Sequence, residues 1–245
     1  MKKLFYLFFF LSQLSFSQNN AFPVIDGESC TYIIHYGFLS GGNAEYELHK
    51  KEGEIRVIAK GGSNFIIDVF FKIRDRYESI ISSSTLLPKY FKRDIIEGGD
   101  EIHQEYFFYH NKMIVETGDG DYYCTKTSQD MLSAFMYGRS LSSKELKRRK
   151  PFYIDMFLDE ENYRMEVKYL GTEVINSKIG RIRCIKLQPK VQVGRVFSNE
   201  DDLTIWVSDD KNHILIKVEM GILVGSIDID ILKAENIKFP LSITD

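Results

Sequence analysis

The sequence predicts an all-β protein built on a large, strongly curved antiparallel sheet or barrel, with one packed helix near residues 128–140. Apolar and polar residues alternate with a period of two through most of the chain, which is typical of strands that bury one face. Turn residues interrupt this alternation about every ten positions, as in β sandwiches and barrels. A two-sheet sandwich is therefore the architectural alternative to the curved sheet.

The first half of the chain is predicted to be a series of hairpins. Cys30, Tyr32, Ile34 and Tyr36 lie on one face of the first strand. Glu52-Gly53 is a turn of the kind that joins hairpin strands. Strands are predicted over 43–50, 54–60, 74–82, 89–97, 101–109 and 112–117, with a tight turn at Gly118–Asp121.

The second half repeats this pattern and ends in a strand with two distinct faces. Strands are predicted over 151–158, 162–169, 172–176, 181–188, 203–207 and 213–220. In the last strand, one face carries Leu223, Ile227, Ile229 and Ile231, and the other carries Ser226, Asp228 and Asp230. This pattern indicates a sheet with one face on a core and the other in water.

Two segments have helical spacing. Phe65, Ile66, Val69, Phe70 and Ile73 predict a short helix over 64–72 that packs against the sheet. The helix near 128–140 begins at Thr127–Asp130, which resembles a capping box.

An arginine lies on the apolar face of the second predicted helix. Leu132, Phe135, Met136 and Arg139 share that face. A guanidinium buried there needs an acidic or carbonyl partner, because burial of an unpaired charge is costly. An ion pair with an acid such as Asp75 is the structural interpretation of Arg139, and anion binding is the functional one.

The first eighteen residues have the pattern of a secretory signal peptide. Lys2 and Lys3 precede the apolar run Leu4–Leu11, and Ser12–Gln18 is small and polar. The apolar run is shorter than the roughly 20 residues that a transmembrane helix needs. No Cys lies near the cut for lipid attachment. We therefore expect a signal peptide over 1–18 and a periplasmic or secreted chain without a transmembrane anchor.

The rest of the chain, 19–245, is expected to be a single β-rich domain; if it has two parts, the boundary lies near 141–150. The net charge of −3 gives no electrostatic reason to bind nucleic acid. The basic run Lys144–Lys150 is interpreted as a solvated connector or a surface for anions. Cys30, Cys124 and Cys184 are either three buried thiols or include one disulfide, with Cys30–Cys184 as the favoured pair.

A series of short signatures resembles the exported bacterial proteins grouped as domain of unknown function 3108. They occur in order over residues 25–232. They are Gly27-Glu28, Tyr32, Gly41/Ala44, Asp75-x-Tyr77-x-Ser79, Thr85-Leu86-x-Pro88, Asp130, Ser133, Tyr137, Arg139, Gly171, Glu173, Gly180, Cys184 and Trp206–Asp210. The resemblance implies a cell-envelope protein of a Gram-negative-type bacterium. It implies no activity.

No catalytic, metal-binding or phosphate-binding motif is present in the sequence, and no cofactor is expected. The five histidines form no H-E-x-x-H pair, and there is no G-x-S-x-G elbow. Asp209 and Asp210 are adjacent in a turn, where carboxylates usually cap backbone amides and face water. The 18 Phe and 14 Tyr residues either fill a large core or line an apolar cavity.

We therefore expect a non-catalytic envelope protein that binds a lipid, another apolar small molecule or an envelope protein on the concave face of its sheet. The candidate ligand-binding residues are Arg139, Tyr77, Trp206 and Asp209. The alternative function is an envelope hydrolase whose site is assembled from distant residues, around Asp209 or His213.

Overall fold

The fold is known from a computed structural model, which describes residues 22, 24–69, 72–193, 197, 199–222 and 225–245. The predicted signal peptide lies outside these residues. Within them, fourteen strands form a single antiparallel sheet. This confirms the large curved sheet, and the two-sheet sandwich is wrong.

The first eight strands follow one another through hairpins. They are β1 (Ser29–Tyr36), β2 (Leu39–Lys51), β3 (Glu54–Ser63), β4 (Ile73–Ser82), β5 (Pro88–Glu97), β6 (Asp100–Tyr109), β7 (Ile114–Thr117) and β8 (Gly120–Tyr123), with the short helix α1 (Phe65–Asp68) between β3 and β4. Each strand pairs with the next, so this half of the sheet grows outward from β1.

Two helices connect β8 to the second half of the sheet, and the last strand returns to the first. The helices are α2 (Met131–Ser140) and α3 (Ser143–Leu146). The strands are β9 (Phe152–Leu158), β10 (Glu161–Ser177), β11 (Gly180–Pro189), β12 (Leu203–Ser208), β13 (Leu215–Gly221) and β14 (Ser226–Glu235). Because β14 pairs with β1, the two halves join in the middle of the sheet.

The sheet rolls until its two edges, β8 and β9, approach each other. The segment after β8 runs along β9. The Gln129 amide donates to the Asp155 carbonyl at 2.8 Å, and the Phe157 amide donates to the Gln129 carbonyl at 2.9 Å. Asn162 on β10 donates through its side chain to the Tyr123 carbonyl at the end of β8. A connecting segment thus bridges two strands that do not pair with each other, which gives an open, barrel-like roll.

Helix α2 lies inside this roll and is fixed at its first residue. The Asp130 side chain accepts hydrogen bonds from the Leu132 and Ser133 amides, and the Ser133 hydroxyl accepts from the Asp130 amide. The Ser79 hydroxyl on β4 donates to the same carboxylate at 2.7 Å. The helix prediction is confirmed. The capping box is formed by Asp130 and Ser133, three residues later than the predicted Thr127–Asp130.

Two other local predictions differ from the structure. The segments 162–169 and 172–176 are one strand, β10, because a bulge between Tyr169 and Gly171 keeps the ladder continuous. Gly171 has a φ of 147°, which other residues rarely adopt. Helix α1 is shorter than the predicted 64–72 and buries none of its residues, since its apolar side chains point away from the sheet. Phe70 and Leu223, which the predictions included, lie outside the described residues.

The three cysteines are free and buried, which confirms the interpretation as three buried thiols; the alternative, a disulfide between Cys30 and Cys184, is wrong. Burial raises the pKa of Cys30 to about 11 and that of Cys184 to about 12. Burial also raises the pKa of Cys124. Thiols with such pKa values stay protonated and are poor nucleophiles.

Candidate ligand-binding cavity

An apolar cavity of about 580 Å³ lies between α2, the concave face of β9–β13, and the inner face of β4 and β5. Strand alternation brings every second side chain of these strands into it. The volume is within the range of roughly 300–1,000 Å³ that is usual for small-molecule sites. Its apolar lining includes Phe135, Phe152, Met156, Met165, Leu187, Ile205, Val207 and Met220.

The cavity extends from one end of the sheet toward its centre. Glu97, the last residue of β5, and Val193 and Phe197, between β11 and β12, line its outer part. Arg139 and His213 line its inner part. The cavity is partly open to solvent, and we call its end with Glu97 the mouth.

The two arginine side chains that line the cavity are each paired with an acidic side chain. Arg93 on β5 forms an ion pair with Asp159, which lies in the turn between β9 and β10. Arg93 also donates to the Gln104 side chain on β6 at 2.5 Å. These contacts hold the β9–β10 turn against β5 and β6, and they leave the middle of the cavity without an uncompensated charge.

The partner of Arg139 is Glu28, not Asp75. The Arg139 guanidinium donates from Nη1 to Glu28 Oε1 at 2.6 Å and from Nη2 to Glu28 Oε2 at 3.2 Å. Glu28 is 0% exposed and Arg139 is 2% exposed. This two-point pairing is the geometry that a guanidinium and a carboxylate prefer. Arg139 is therefore already neutralised and is not free to bind an anion.

Further hydrogen bonds extend this pair into a buried network. The Tyr46 hydroxyl donates to Glu28 Oε1 at 3.0 Å, and the Cys30 thiol donates to the Tyr46 oxygen at 3.3 Å. Arg139 Nε donates to the Asn212 carbonyl at 3.0 Å. The network ties α2 to β1, to β2 and to the turn before β13. Sequence reasoning did not select Glu28 as a site residue, although Gly27-Glu28 was one of the family signatures.

His213 connects the same network to α3. Its Nδ1 lies 3.1 Å from the Arg139 carbonyl oxygen, and its Nε2 lies 3.2 Å from the Ser143 hydroxyl. Burial lowers the pKa of His213, so the imidazole is neutral near pH 7. With a proton on Nδ1, Nε2 can accept a hydrogen bond from Ser143.

The four predicted site residues do not form one site. Tyr77 and Arg139 line the cavity. Trp206 lies between Ile205 and Val207, which do line it, so the indole projects to the opposite face of β12. There the indole donates to Glu173 and is covered by the ammonium groups of Lys186 and Lys217.

Asp209 is held in an ion-pair cluster at the turn between β12 and β13. Its carboxylate, 7% exposed, accepts from Lys147 at 2.7 Å and from Arg183 at 3.1 Å. The expectation that this carboxylate faces water is wrong, because the side chains of Lys147 and Arg183 cover it. Asp210 does cap backbone amides, those of Asn212 and Ser242.

A family model described as "Protein of unknown function (DUF3108)" matches residues 31–232 of the chain. The chain belongs to the DUF3108 family. The match covers every strand from β1 to most of β14, and therefore every wall of the cavity. No curated protein matches the sequence.

Comparison with solved structures supports the barrel-like fold of this DUF3108 chain. A β-barrel-like protein of the DUF1849 family from Brucella abortus has a TM-score of 0.62 and 10% identity, over 87% of this chain and 99% of that one. Protein CT021 from Chlamydia trachomatis has a TM-score of 0.42 and 6% identity, over 92% and 95%. The Brucella structure shares the barrel-like fold, and at this identity nothing more is transferred.

Two kinds of feature are absent from the described residues. No helix in this part of the chain has the length and hydropathy that crossing a membrane requires. No three or more His, Cys, Asp or Glu side chains in the same part converge so that they could hold a metal ion.

Proposed function

We propose that this DUF3108 protein is an exported, non-catalytic envelope protein that binds an apolar or amphiphilic molecule inside its rolled sheet. The observation that carries the proposal is the cavity of about 580 Å³ with a predominantly apolar lining. Well-packed protein interiors contain few voids larger than a water molecule. A cavity of this size, open at one end, is therefore better explained by a ligand than by incomplete packing.

The charges of the wall favour a ligand with an uncharged apolar body. Arg139 is neutralised by Glu28, and Arg93 by Asp159. An acyl chain or a ring system fits the middle of the cavity, because the arginines of the wall do not need hydrogen bonds from a ligand there. A polar head group fits at the mouth, where Glu97 and Gln192 line the cavity.

The proposed location is the periplasm or the outside of the cell. The pattern over residues 1–18 supports export, and the chain from residue 19 onward is proposed to act as one β-rich unit. A lipid or an envelope component is a ligand that a protein meets in this compartment.

Gly138 provides a direct test of ligand binding. It lies on α2 and lines the cavity, and a Cβ built on it meets no atom within 4 Å. We expect the wild-type protein to enhance the fluorescence of N-phenyl-1-naphthylamine, an apolar probe. Gly138→Phe should reduce the binding of the probe by at least about tenfold, because the ring occupies the volume that the ligand needs.

Gly138→Ala is the matched control for this test. It adds one methyl group, and it should stabilise α2 by about 1 kcal/mol because glycine weakens helices. It should leave the affinity for the probe close to the wild-type value. Equal binding by the wild-type protein and a folded Gly138→Phe variant would contradict the proposal.

A hydrolase is the second candidate, supported by one contact. The Ser143 hydroxyl lies 3.2 Å from Nε2 of the neutral His213, which lines the cavity. This is the spacing of a nucleophile and its general base. Hydrolysis of p-nitrophenyl acyl esters that is lost in Ser143→Ala would support this candidate, whereas Asp209→Asn tests the site expected from the sequence.

A further inference from the structure

Exposed apolar side chains are concentrated at one end of the sheet, beside the mouth of the cavity. We define the apolar tip by its described residues: Tyr36, Phe38, Leu39, Phe65, Ile66 and Val69. Phe38 is 95% exposed, Phe65 82%, Val69 68% and Ile66 64%. Large apolar side chains that cluster in contact with solvent mark an interaction surface.

The tip is one continuous surface, because hydrogen bonds hold its connections together. The Asn64 side chain, which caps α1, donates to the Ser40 carbonyl at 2.5 Å, and the Asn64 amide donates to the Gly41 carbonyl at 2.9 Å. The Gly37 amide donates to the Ser226 carbonyl at 3.1 Å, which links the β1–β2 turn to the β13–β14 turn. The tip therefore covers the ends of β1 to β4, and the β13–β14 turn adjoins it.

The two ends of these strands differ in their charge. The connections 36–42, 64–72 and 221–225 contain only two charged residues, Asp68 and Lys72. The Asp68 carboxylate is paired with Arg74, whose Nη1 lies 3.0 Å from Oδ1. At the opposite end, the turns 51–54 and 208–213 contain Lys51, Glu52, Glu54, Asp209, Asp210 and Lys211.

We propose that the apolar tip inserts into the surface of a lipid bilayer, and that the ligand enters the cavity from that bilayer. Entry of the ligand from the bilayer rests on the proposed function, whereas insertion of the tip does not. Protruding turns with isolated aromatic rings suit the boundary between head groups and acyl chains, where apolar side chains leave water without a matching protein surface. The scarcity of charge in these connections suits the apolar side of that boundary, where burial of a charge is costly.

Vesicle flotation tests the insertion. The full-length chain, expressed and processed in a Gram-negative host, is mixed with vesicles of phosphatidylethanolamine and phosphatidylglycerol at a ratio of three to one. We expect the wild-type protein to float with the vesicles. The double variant Phe38→Ser/Phe65→Ser should partition about tenfold or more weakly, since it loses two rings that would leave water.

The control variant removes two exposed apolar side chains at the other end of the molecule. Tyr123→Ser/Ile243→Ser changes residues that are 62% and 61% exposed, and it should float like the wild type. Circular dichroism confirms that each variant folds. Equal flotation of the two double variants would overturn the proposal. So would a wild-type dimer in sedimentation that Phe38→Ser/Phe65→Ser dissociates, because a second copy would then cover the tip.

Gly138→Phe separates this proposal from the proposed function. A protein whose cavity is filled should still float, because the tip is unchanged. A wild-type protein that binds the apolar probe but does not float would refute insertion and leave the cavity function intact. Flotation without binding of the probe would refute the cavity function and leave insertion intact.

Discussion

At the scale of single residues, a buried two-point ion pair joins Glu28 and Arg139 across 111 positions of sequence. The position of Arg139 on an apolar helix face predicted that it needs an acidic partner. The identity of the partner could not be predicted, because it depends on where β1 passes α2 after the sheet has rolled. Asp75, the acid expected from the sequence, lies on β4 with one carboxylate oxygen buried and without a partner.

Breaking this pair should destabilise the protein strongly. Arg139→Met leaves the Glu28 carboxylate buried without its counter-charge, which costs about 3–5 kcal/mol. Urea unfolding followed by circular dichroism measures the change. Lys60→Met, which breaks the exposed pair with Glu45, should cost less than about 1 kcal/mol. A similar small loss for Arg139→Met would contradict a structural role of this pair.

Asp75 should make the stability depend on pH. Burial and the nearby Glu97 carboxylate raise the pKa of Asp75 to about 6, from an ordinary value of 3.8. Below the ordinary pKa, the carboxyl group is neutral in both the folded and the unfolded chain. As the pH rises through 6, the folded protein has to hold an ionised group in a poor environment, so this contribution to stability is lost.

Asp75→Asn removes this titration. We expect the variant to be more stable than the wild type by about 1 kcal/mol at pH 7, a value reduced for the partial exposure of the site. The advantage should shrink as the pH falls toward 4. Urea midpoints at several pH values measure it, and Glu97→Gln should give a smaller effect of the same sign. A constant difference between Asp75→Asn and the wild type would contradict the assignment.

At the scale of elements, strands were predicted well where one face is buried, because alternation reports that directly. β10 was divided in two, since Gly171 resembles a turn in the sequence but forms a bulge in the structure. The apolar spacing of α1 predicted packing against the sheet, yet its side chains face solvent. Spacing shows that a helix has an apolar side, but it does not show what covers that side.

The start of α2 allows a prediction at this scale. Asp130→Ala removes the acceptor of three donors: the half-buried Leu132 amide, the buried Ser133 amide and the buried Ser79 hydroxyl. We expect a loss of about 2 kcal/mol or more in unfolding free energy, because buried donors remain unpaired. Ser142→Ala, which removes the exposed cap of α3, should cost about 1 kcal/mol or less. Equal costs would show that α2 is not fixed at Asp130.

At the scale of the whole molecule, the curved sheet and the internal helix could be predicted from the spacing of apolar residues and the lengths of the segments. The cavity could not. The abundance of Phe and Tyr was compatible with a filled core or with a lined cavity. The difference depends on how far the sheet rolls around α2, and long-range contacts such as Arg93 with Asp159 determine that. The paired charges in the wall were likewise invisible to local patterns.

Native mass spectrometry of the protein purified without detergent from a cell envelope tests the cavity function most directly. We predict an additional mass of one amphiphilic molecule on the wild-type protein and on Gly138→Ala, and its absence from Gly138→Phe. A folded wild-type protein without any bound molecule, or the same mass on Gly138→Phe, would contradict a ligand-binding cavity inside the rolled sheet.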